Sequence, residues 1–255
     1  MILPDDWDVP GEENEGLCRQ FDEAIFQNAE VSIPYRWFAP GAQGIVPLVV
    51  YLHGADAVGN ENRLPLSMHD IGTMFAREGW QRSHPCFILA PQYGRSMHWS
   101  IPAVSRGLMG LIEYMTASFP NIDRRRIYIY GYSAGGVGTL RMLKEYPGFF
   151  AGAISICGAT SREGIEHLQR VPLWMVHALD DEIVKATYRD KYSSDLSHLG
   201  SKDLYLALKE GARDLHYTEF PAGYMKEHYG VHPHCSWVAV SDETNTEIKE
   251  WLFSR

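Results

Sequence analysis

The segment Gly131-Tyr132-Ser133-Ala134-Gly135 has the residue types and the spacing of a serine nucleophile. It fulfils the G-x-S-x-G pattern between a β-rich run at 127–130 and a helical segment at 138–146, which is the context that the pattern requires. A serine on this sharp turn points its hydroxyl away from the sheet, and the flanking positions are glycine because the turn is crowded. The helix that follows directs its N-terminal amides toward developing negative charge. We therefore expect Ser133 to be a catalytic nucleophile.

Two other interpretations of this segment are weaker. It could be a glycine-rich turn with an incidental serine, and the glycines at 135–138 could suggest a nucleotide-binding loop. However, no Lys-Ser/Thr pair follows for a P-loop, and the glycine spacing fails G-x-G-x-x-G.

The acid that would accompany Ser133 is expected after a later strand, because the chain order with this motif is serine, acid, histidine. The apolar run at 171–176 is followed by His177-Ala178-Leu179-Asp180-Asp181. Asp180 and Asp181 compete for the role, and either could instead be an ordinary loop carboxylate.

The base is expected between the last strand and the last helix, where the chain holds His228, His232 and His234. We choose His234, three residues before Trp237, to take the proton of Ser133 and return it to the leaving group. These histidines could alternatively form a metal cluster. Gly230 and Pro233 argue against a helix that presents His228 and His232 together, and no familiar metal spacing is completed. No metal and no cofactor are therefore expected.

The oxyanion hole is expected to use two backbone amides. The run at 47–52 leads into His53-Gly54-Ala55, which makes Ala55 the source of one amide, and Ala134, directly after the nucleophile, supplies the other. Backbone groups do this work, so Gly54 matters because it allows close approach. His53 alone is more typical of a structural residue.

Continuous apolar runs that alternate with helical patterns must position these groups. They predict an α/β fold with a mostly parallel central sheet of about eight strands, covered by helices on both faces, with a leading antiparallel pair at one edge. Residues 1–16 are acidic and rich in Gly and Pro and are predicted to form a loose arm, and 17–255 a single domain. Predicted strands are 21–26, 31–38, 47–52, 86–90, 127–130, 151–156, 171–176 and 217–220, and predicted helices are 71–80, 104–119, 138–146, 204–210 and 242–253.

The formal net charge of −9 makes nucleic acid or an anionic membrane an unsuitable partner, since both attract clustered Lys and Arg. The N-terminus lacks the basic and apolar regions of a secretory signal, and no stretch approaches the ~20 apolar residues of a membrane span. We expect a cytoplasmic protein that binds a small-molecule or oligosaccharide ester, and the sequence also allows a homodimer.

Several ordered motifs resemble one group of bacterial α/β-hydrolases, the predicted peptidases related to feruloyl esterases, polyhydroxybutyrate depolymerase-like esterases and prolyl-oligopeptidase-type catalytic domains. The motifs are Tyr51 to Ala55 with Gly59 to Asn62, Ala90-Pro91-Gln92 with Trp99, Arg126 to Tyr128, Gly131 to Gly136, Ile156-Cys157-Gly158 and His234 to Trp237. The resemblance spans roughly residues 20–255. It implies the α/β-hydrolase fold and a serine triad, and it leaves the substrate open.

The resemblance also bears on individual residues. It places the acid four residues after a histidine, which favours Asp181 over Asp180. Asp56 replaces the group's usual glycine and brings a carboxylate near the oxyanion loop, and the segment 225–233 resembles an insertion that shapes the substrate entrance. Asp56, Tyr93, Trp99 and His232 are the predicted substrate-binding residues.

The leading hypothesis is hydrolysis of carboxylic esters through an acyl-serine intermediate, with acetyl or feruloyl esters of plant-cell-wall carbohydrate as candidate substrates. A peptidase of the prolyl-oligopeptidase type is the second hypothesis. The third is a noncatalytic binding module on a hydrolase scaffold, because a fold alone does not establish a function.

Overall fold

A central β-sheet organises the chain in the computed structural model, which describes residues 12–188 and 198–255. Within these residues the sheet has eight strands, in the spatial order β1-β2-β4-β3-β5-β6-β8-β10. The strands are β1 (Asp22–Gln27), β2 (Ser32–Phe38), β3 (Val46–Leu52), β4 (Phe87–Pro91), β5 (Ile122–Tyr132), β6 (Gly152–Ile156), β8 (Leu173–Ala178) and β10 (Leu215–Phe220). Two short strands, β7 (Ala159–Ser161) and β9 (His198–Gly200), form a separate antiparallel pair.

The strand directions match the sequence-based prediction. Strand β2 pairs antiparallel with both β1 and β4, and every other neighbouring pair in the sheet is parallel. The carboxyl ends of the parallel strands therefore share one edge of the sheet, where ligand and catalytic sites of open α/β sheets occur.

Helices cover both faces of the sheet. All seven residues of β3 are buried, and they alternate between two apolar clusters, with Leu48, Val50 and Leu52 on one face and Val49 and Tyr51 on the other. The helices are α1 (Glu12–Cys18), α2 (Leu64–Ser67), α3 (Glu78–Ser83), α4 (Pro102–Ser118), α5 (Ala134–Glu145), α6 (Ser201–Leu208), α7 (Tyr224–Tyr229), α8 (Trp237–Ser241) and α9 (Glu247–Phe253). Burial on both sides explains the continuous apolar runs of the strands, and the α/β-hydrolase fold is confirmed.

Two local predictions are corrected. Residues 12–16 belong to helix α1, whose Asn14 is buried and donates its side-chain amide to Leu66 O at 2.8 Å, so this part of the predicted loose arm is helical. Residues 1–11 lie outside the described residues. The helix predicted over 71–80 is instead two 3-10 turns, Asp70–Gly72 and Met74–Ala76, followed by α3.

The broken segment has a physical reason. The residues Ile71, Met74, Phe75 and Ala76 are all buried, so their spacing reflects burial and not one continuous helix. Arg77 then takes an extended ψ of 137°, which ends the turn before α3 begins. Among the described residues, no helix has both the length and the apolar character needed to cross a bilayer.

Candidate active site

Ser133 lies on a strained turn between strand β5 and helix α5. Its φ of 53° and ψ of −120° are unusual for a residue with a side chain, and its amide donates to Ile156 O at 2.9 Å. A Cβ on Gly135 would come within 1.9 Å of Leu52 O, so helix α5 reaches this close to strand β3 only with glycine there. The crowding predicted for the turn is present, and Ser133 is partly exposed at the sheet edge.

His234 contacts Ser133 from a 3-10 turn, Pro233–Cys235, that follows helix α7. Its Nε2 is 3.0 Å from Ser133 Oγ, and its backbone amide donates to His232 Nδ1 at 3.1 Å. The ring of Trp237 meets the imidazole edge-on, with centroids 5.6 Å apart. The His232 contact thus fixes the backbone of His234, and the buried Trp237 ring packs against its imidazole.

Asp181 completes the chain of hydrogen bonds, in the loop after strand β8. Its Oδ1 accepts from the amides of Ile183 and Val184 at 2.9 and 3.1 Å, and its Oδ2 is 2.7 Å from His234 Nδ1. Because a carboxylate accepts, His234 Nδ1 carries the hydrogen and the lone pair of Nε2 can accept the serine proton. The arrangement has the serine–histidine–acid geometry of a hydrolase triad.

The charge of Asp181 is maintained despite its burial. Burial favours the neutral acid, but the hydrogen bonds from His177 and His234 outweigh it and hold the pKa of Asp181 well below its usual value. His177 Nε2 lies 3.2 Å from the same Oδ2 and 2.8 Å from Val184 O. Since the carbonyl of Val184 can only accept, His177 Nε2 carries a hydrogen and donates to Asp181.

Asp180, the alternative acid, serves a different contact. Its Oδ2 accepts from Gly223 N at 2.8 Å, at the residue that precedes helix α7. The geometry brings Asp181, not Asp180, to the imidazole.

The other two histidines of the base region are engaged elsewhere. His228 Nδ1 contacts Tyr224 O at 3.0 Å within helix α7, which ends at Gly230 in a left-handed conformation, as the sequence argument required. His232 lies beyond that end, and its Nδ1 accepts from the His234 amide. In the described part of the chain, the one group of three convergent potential metal ligands is Cys157, Asp181 and His234. The hydrogen-bond distance between the last two leaves no space for an ion between them.

Both predicted oxyanion donors begin helical turns at the carboxyl ends of the neighbouring strands β3 and β5. Ala55 is the first residue of the 3-10 turn Ala55–Ala57 after strand β3, and Ala134 is the first residue of α5. The first amides of a helix have no acceptor within that helix, so they are available to a ligand. Their role remains a prediction.

Three of the four predicted substrate-binding residues require correction. Tyr93 and Trp99 are 3% and 2% exposed and pack on His53, to whose carbonyl Trp99 Nε1 donates at 3.0 Å. They support the loop after β3 from beneath and do not line an open wall, because an aromatic residue type alone does not distinguish core from pocket. The Asp56 carboxylate is also nearly buried and is held by Tyr132 and His69. His232 is half-buried and its Nδ1 accepts from the His234 amide, and its role in substrate binding stays a prediction.

Sequence reasoning missed three polar residues of this region, namely His69, Tyr132 and His177. His69 and Tyr132 contact Asp56 across 13 and 76 positions of sequence, a pairing that has no local signature. The sequence analysis used His177 only to locate the acid four residues later, and it did not predict the hydrogen bond of His177 to Asp181.

A cavity of about 700 Å³ lies along helix α5, and its lining does not include Ser133, Asp181 or His234. Its wall includes Val137, whose amide donates to Ser133 O at 3.0 Å, and Val184, whose amide donates to Asp181. The cavity wall is therefore connected through the backbone to the turn that carries Ser133 and to the loop that carries Asp181.

The rest of this cavity is rich in polar groups. Thr160, Ser161, Lys144, Arg141 and Tyr188 contribute to its wall. The Lys144 ammonium donates to the carbonyl and the hydroxyl of Ser161, and Arg141 pairs with Glu145. Hydroxyl and charged groups beside one aromatic ring suit a ligand that carries hydroxyls.

Comparison with known proteins agrees with this geometry. Residues 105–208 match the model of the prolyl oligopeptidase family. A crystal structure of a thermostable esterase superimposes with a TM-score of 0.81 and 34% identity, covering 93% of this chain and 64% of that one. An acylaminoacyl peptidase of Pyrococcus horikoshii has a TM-score of 0.64 at 15% identity, covering 92% of this chain and 41% of that one, and supports the fold alone.

Two curated relatives match smaller parts of the chain. A bifunctional acetylxylan esterase/xylanase of Neocallimastix patriciarum is 27% identical over 158 residues, which is 57% of this chain and 22% of that protein. A poly(3-hydroxyalkanoate) depolymerase of Paucimonas lemoignei is 28% identical over 134 residues, 46% of this chain and 29% of that protein. The chain thus spans less than a third of either curated relative.

The resemblance to α/β-hydrolase serine esterases is confirmed by these matches taken together.

Proposed function

We propose that this chain hydrolyses carboxylic esters through an acyl-serine intermediate. The observation that carries the proposal is the unbroken sequence of contacts from Ser133 Oγ to His234 Nε2 at 3.0 Å and from His234 Nδ1 to Asp181 Oδ2 at 2.7 Å. The match to a thermostable esterase supports the same class of reaction.

The contacts define the steps of this reaction. Ser133 Oγ attacks the ester carbonyl carbon while its proton moves to His234 Nε2, and Asp181 stabilises the imidazolium. The amides of Ala55 and Ala134 receive the oxyanion. The intermediate collapses, the alkoxide leaves with the proton of His234, and Ser133 remains acylated. Water then attacks the acyl group, giving its proton to His234, and the carboxylic acid leaves as Ser133 regains its hydrogen.

We further propose that the substrates are acetyl or feruloyl esters of plant-cell-wall carbohydrate. The acetylxylan esterase relative favours this class, and so does the polar cavity beside Val137 and Val184, because a sugar presents hydroxyls to Thr160 and Ser161 and a ring face to Tyr188. The location of the protein stays a prediction, as does its self-association.

A serine peptidase is the second candidate, favoured by the match of residues 105–208 to the prolyl oligopeptidase family. A panel of p-nitrophenyl acetate, methyl ferulate, acetylated xylo-oligosaccharides and peptide p-nitroanilides separates the candidates. Faster turnover of the anilides than of every ester would replace the ester proposal.

The decisive variant is Ser133→Ala, with Ser83→Ala as the matched control because Ser83 is exposed on helix α3 and donates only to Gly79 O. Loss of the triad serine is expected to reduce kcat on p-nitrophenyl acetate by roughly 10⁵-fold or more, whereas the control keeps wild-type activity. A fluorophosphonate should label the wild type and not Ser133→Ala. Full activity in Ser133→Ala would refute the assignment, and an unlabelled, inactive wild type would favour a noncatalytic binding module.

A further inference from the structure

The carboxylate of Asp56 joins the two loops that carry the oxyanion amides. Asp56 lies in the 3-10 turn directly after Ala55, and its Oδ1 accepts from Tyr132 Oη at 2.7 Å. Tyr132 is the last residue of strand β5 and directly precedes Ser133 and Ala134. One hydrogen bond therefore links the residue after the first amide to the strand end that carries the second.

The two loops also meet through the face of the tyrosine ring. A Cβ on Gly54 would be 2.4 Å from Tyr132 Cε2, so the ring lies against the backbone of Gly54 and only glycine fits there. The phenol group reaches past this glycine to Asp56. The contact thus fixes the backbone on both sides of Ala55.

A second donor holds the carboxylate from the other side. His69 Nε2 is 2.6 Å from Asp56 Oδ2, and the side chains of both residues are almost fully buried. The His69 ring meets the edge of Tyr132 and packs on Trp237 at 5.0 Å, and Trp237 contacts His234. Burying a carboxylate costs free energy of folding unless hydrogen-bond donors satisfy it. His69 and Tyr132 supply one donor to each oxygen of Asp56.

We infer that Asp56 and Tyr132 are positioning residues that set the separation of the Ala55 and Ala134 amides in the oxyanion hole. Asp56 accomplishes this by accepting the Tyr132 hydroxyl while His69 holds its second oxygen. The inference rests on the proposed ester hydrolysis at Ser133. Oxyanion donors contribute to the transition state only when their geometry is fixed in advance, so a looser link lowers kcat more than it changes KM.

The test is Tyr132→Phe, compared with Tyr130→Phe. Tyr130 precedes it by two residues on the same strand, is equally buried, and donates its hydroxyl to Ile71 O at 2.9 Å, away from the oxyanion loop. Both variants lose one buried hydroxyl bond, and Tyr132→Phe also removes a donor from the buried Asp56 carboxylate, so urea unfolding of each variant accompanies the kinetics to establish that both are folded at the assay temperature. Tyr132→Phe is expected to lower kcat on p-nitrophenyl acetate by about 10-fold or more with KM nearly unchanged, and Tyr130→Phe to leave kcat unchanged.

A double-mutant cycle with Asp56→Ala tests the link itself. Asp56→Ala should lower kcat at least as much as Tyr132→Phe, and the double variant should be no worse than Asp56→Ala, because both remove the same bond. Effects that multiply would overturn the inference. Equal kcat losses in Tyr132→Phe and Tyr130→Phe would also overturn it, since they would reflect stability alone.

The rate of fluorophosphonate labelling at Ser133 separates this inference from the proposed function, because phosphonylation also develops an oxyanion. If the wild type is labelled but hydrolyses no ester, the proposed function fails, and slower labelling of Tyr132→Phe than of Tyr130→Phe still supports the positioning role. Equal labelling rates in these two variants refute it.

Discussion

Replacing Asp181 by asparagine should nearly abolish catalysis while leaving the shape of the site intact. Asparagine has the volume of aspartate, and its oxygen can take the place of Oδ1, which accepts from the amides of Ile183 and Val184. Its NH₂ group then occupies the place of Oδ2, facing His234 Nδ1 and His177 Nε2. A donor thus replaces the acceptor that both imidazoles require.

The size of the loss follows from the tautomer of His234. With an NH₂ group opposite Nδ1, the imidazole moves its hydrogen to Nε2, the atom 3.0 Å from Ser133 Oγ, and can no longer accept the serine proton. The same exchange of acid for amide in a serine protease triad lowers kcat about 10⁴-fold, which corresponds to about 5 kcal/mol of transition-state stabilisation. His177 Nε2 also faces the new NH₂, so folding loses about 1–3 kcal/mol.

The neighbouring aspartate provides the control. Asp180→Asn removes the same charge one residue away, and the asparagine oxygen can still accept from Gly223 N, so kcat should stay close to that of the wild type. The assay is initial-rate kinetics on p-nitrophenyl acetate for both variants, together with urea unfolding to establish that each is folded at the assay temperature.

Two outcomes would refute this reasoning. Asp181→Asn retaining more than about a tenth of the wild-type kcat would mean that Asp181 does not determine the tautomer of His234. A kcat in Asp180→Asn as low as that of Asp181→Asn would mean that the activity depends on the charge of the loop rather than on one hydrogen bond.

Two further predictions concern stability. Gly135→Ala places a Cβ within 1.9 Å of Leu52 O and should lower the free energy of unfolding by about 3 kcal/mol or more. Gly79→Ala is the control, because open space surrounds Gly79 and the stability of this variant should not fall. Equal urea midpoints for the two variants would contradict this prediction. Burial lowers the pKa of His53 from 6.5 to about 4. Between these two values the imidazole is protonated in the unfolded chain and neutral in the folded chain. Acidification from pH 7 to pH 4 should therefore lower the free energy of unfolding by about 3 kcal/mol through this group. Urea unfolding of His53→Asn should show a weaker dependence on pH in that interval, and an unchanged dependence would exclude His53 as the cause.

The sequence predicted those site residues whose positions depend on a local turn or on the order of the strands. Ser133 could be found because the G-x-S-x-G turn demands particular residues at adjacent positions, and the structure gives Ser133 the strained φ of 53° that such a turn implies. Chain order placed the acid after strand β8 and the base after strand β10, and the family resemblance favoured Asp181 over Asp180. The alternation of apolar runs and helices likewise predicted the sheet, since burial on both faces gives the central strands β3, β4, β6 and β8 continuous apolar runs.

Residue type alone did not indicate the position of a side chain whose partners are distant in sequence. Tyr93 and Trp99 are aromatic residues of the kind that line binding pockets. In the structure they are buried and pack on His53, in the loop after strand β3. Asp56 resembled a substrate ligand because a carboxylate beside an oxyanion loop is unusual. Its partners, His69 and Tyr132, belong to other parts of the chain, and the sequence around Asp56 does not indicate a contact with them.

The two adjacent aspartates illustrate why side-chain roles needed the three-dimensional fold. Asp181 turns inward and receives two imidazoles, whereas Asp180 turns toward Gly223 and holds the start of helix α7. That helix leads within a few residues to His234, so both carboxylates position the same base, one through the imidazole and one through the backbone that carries it.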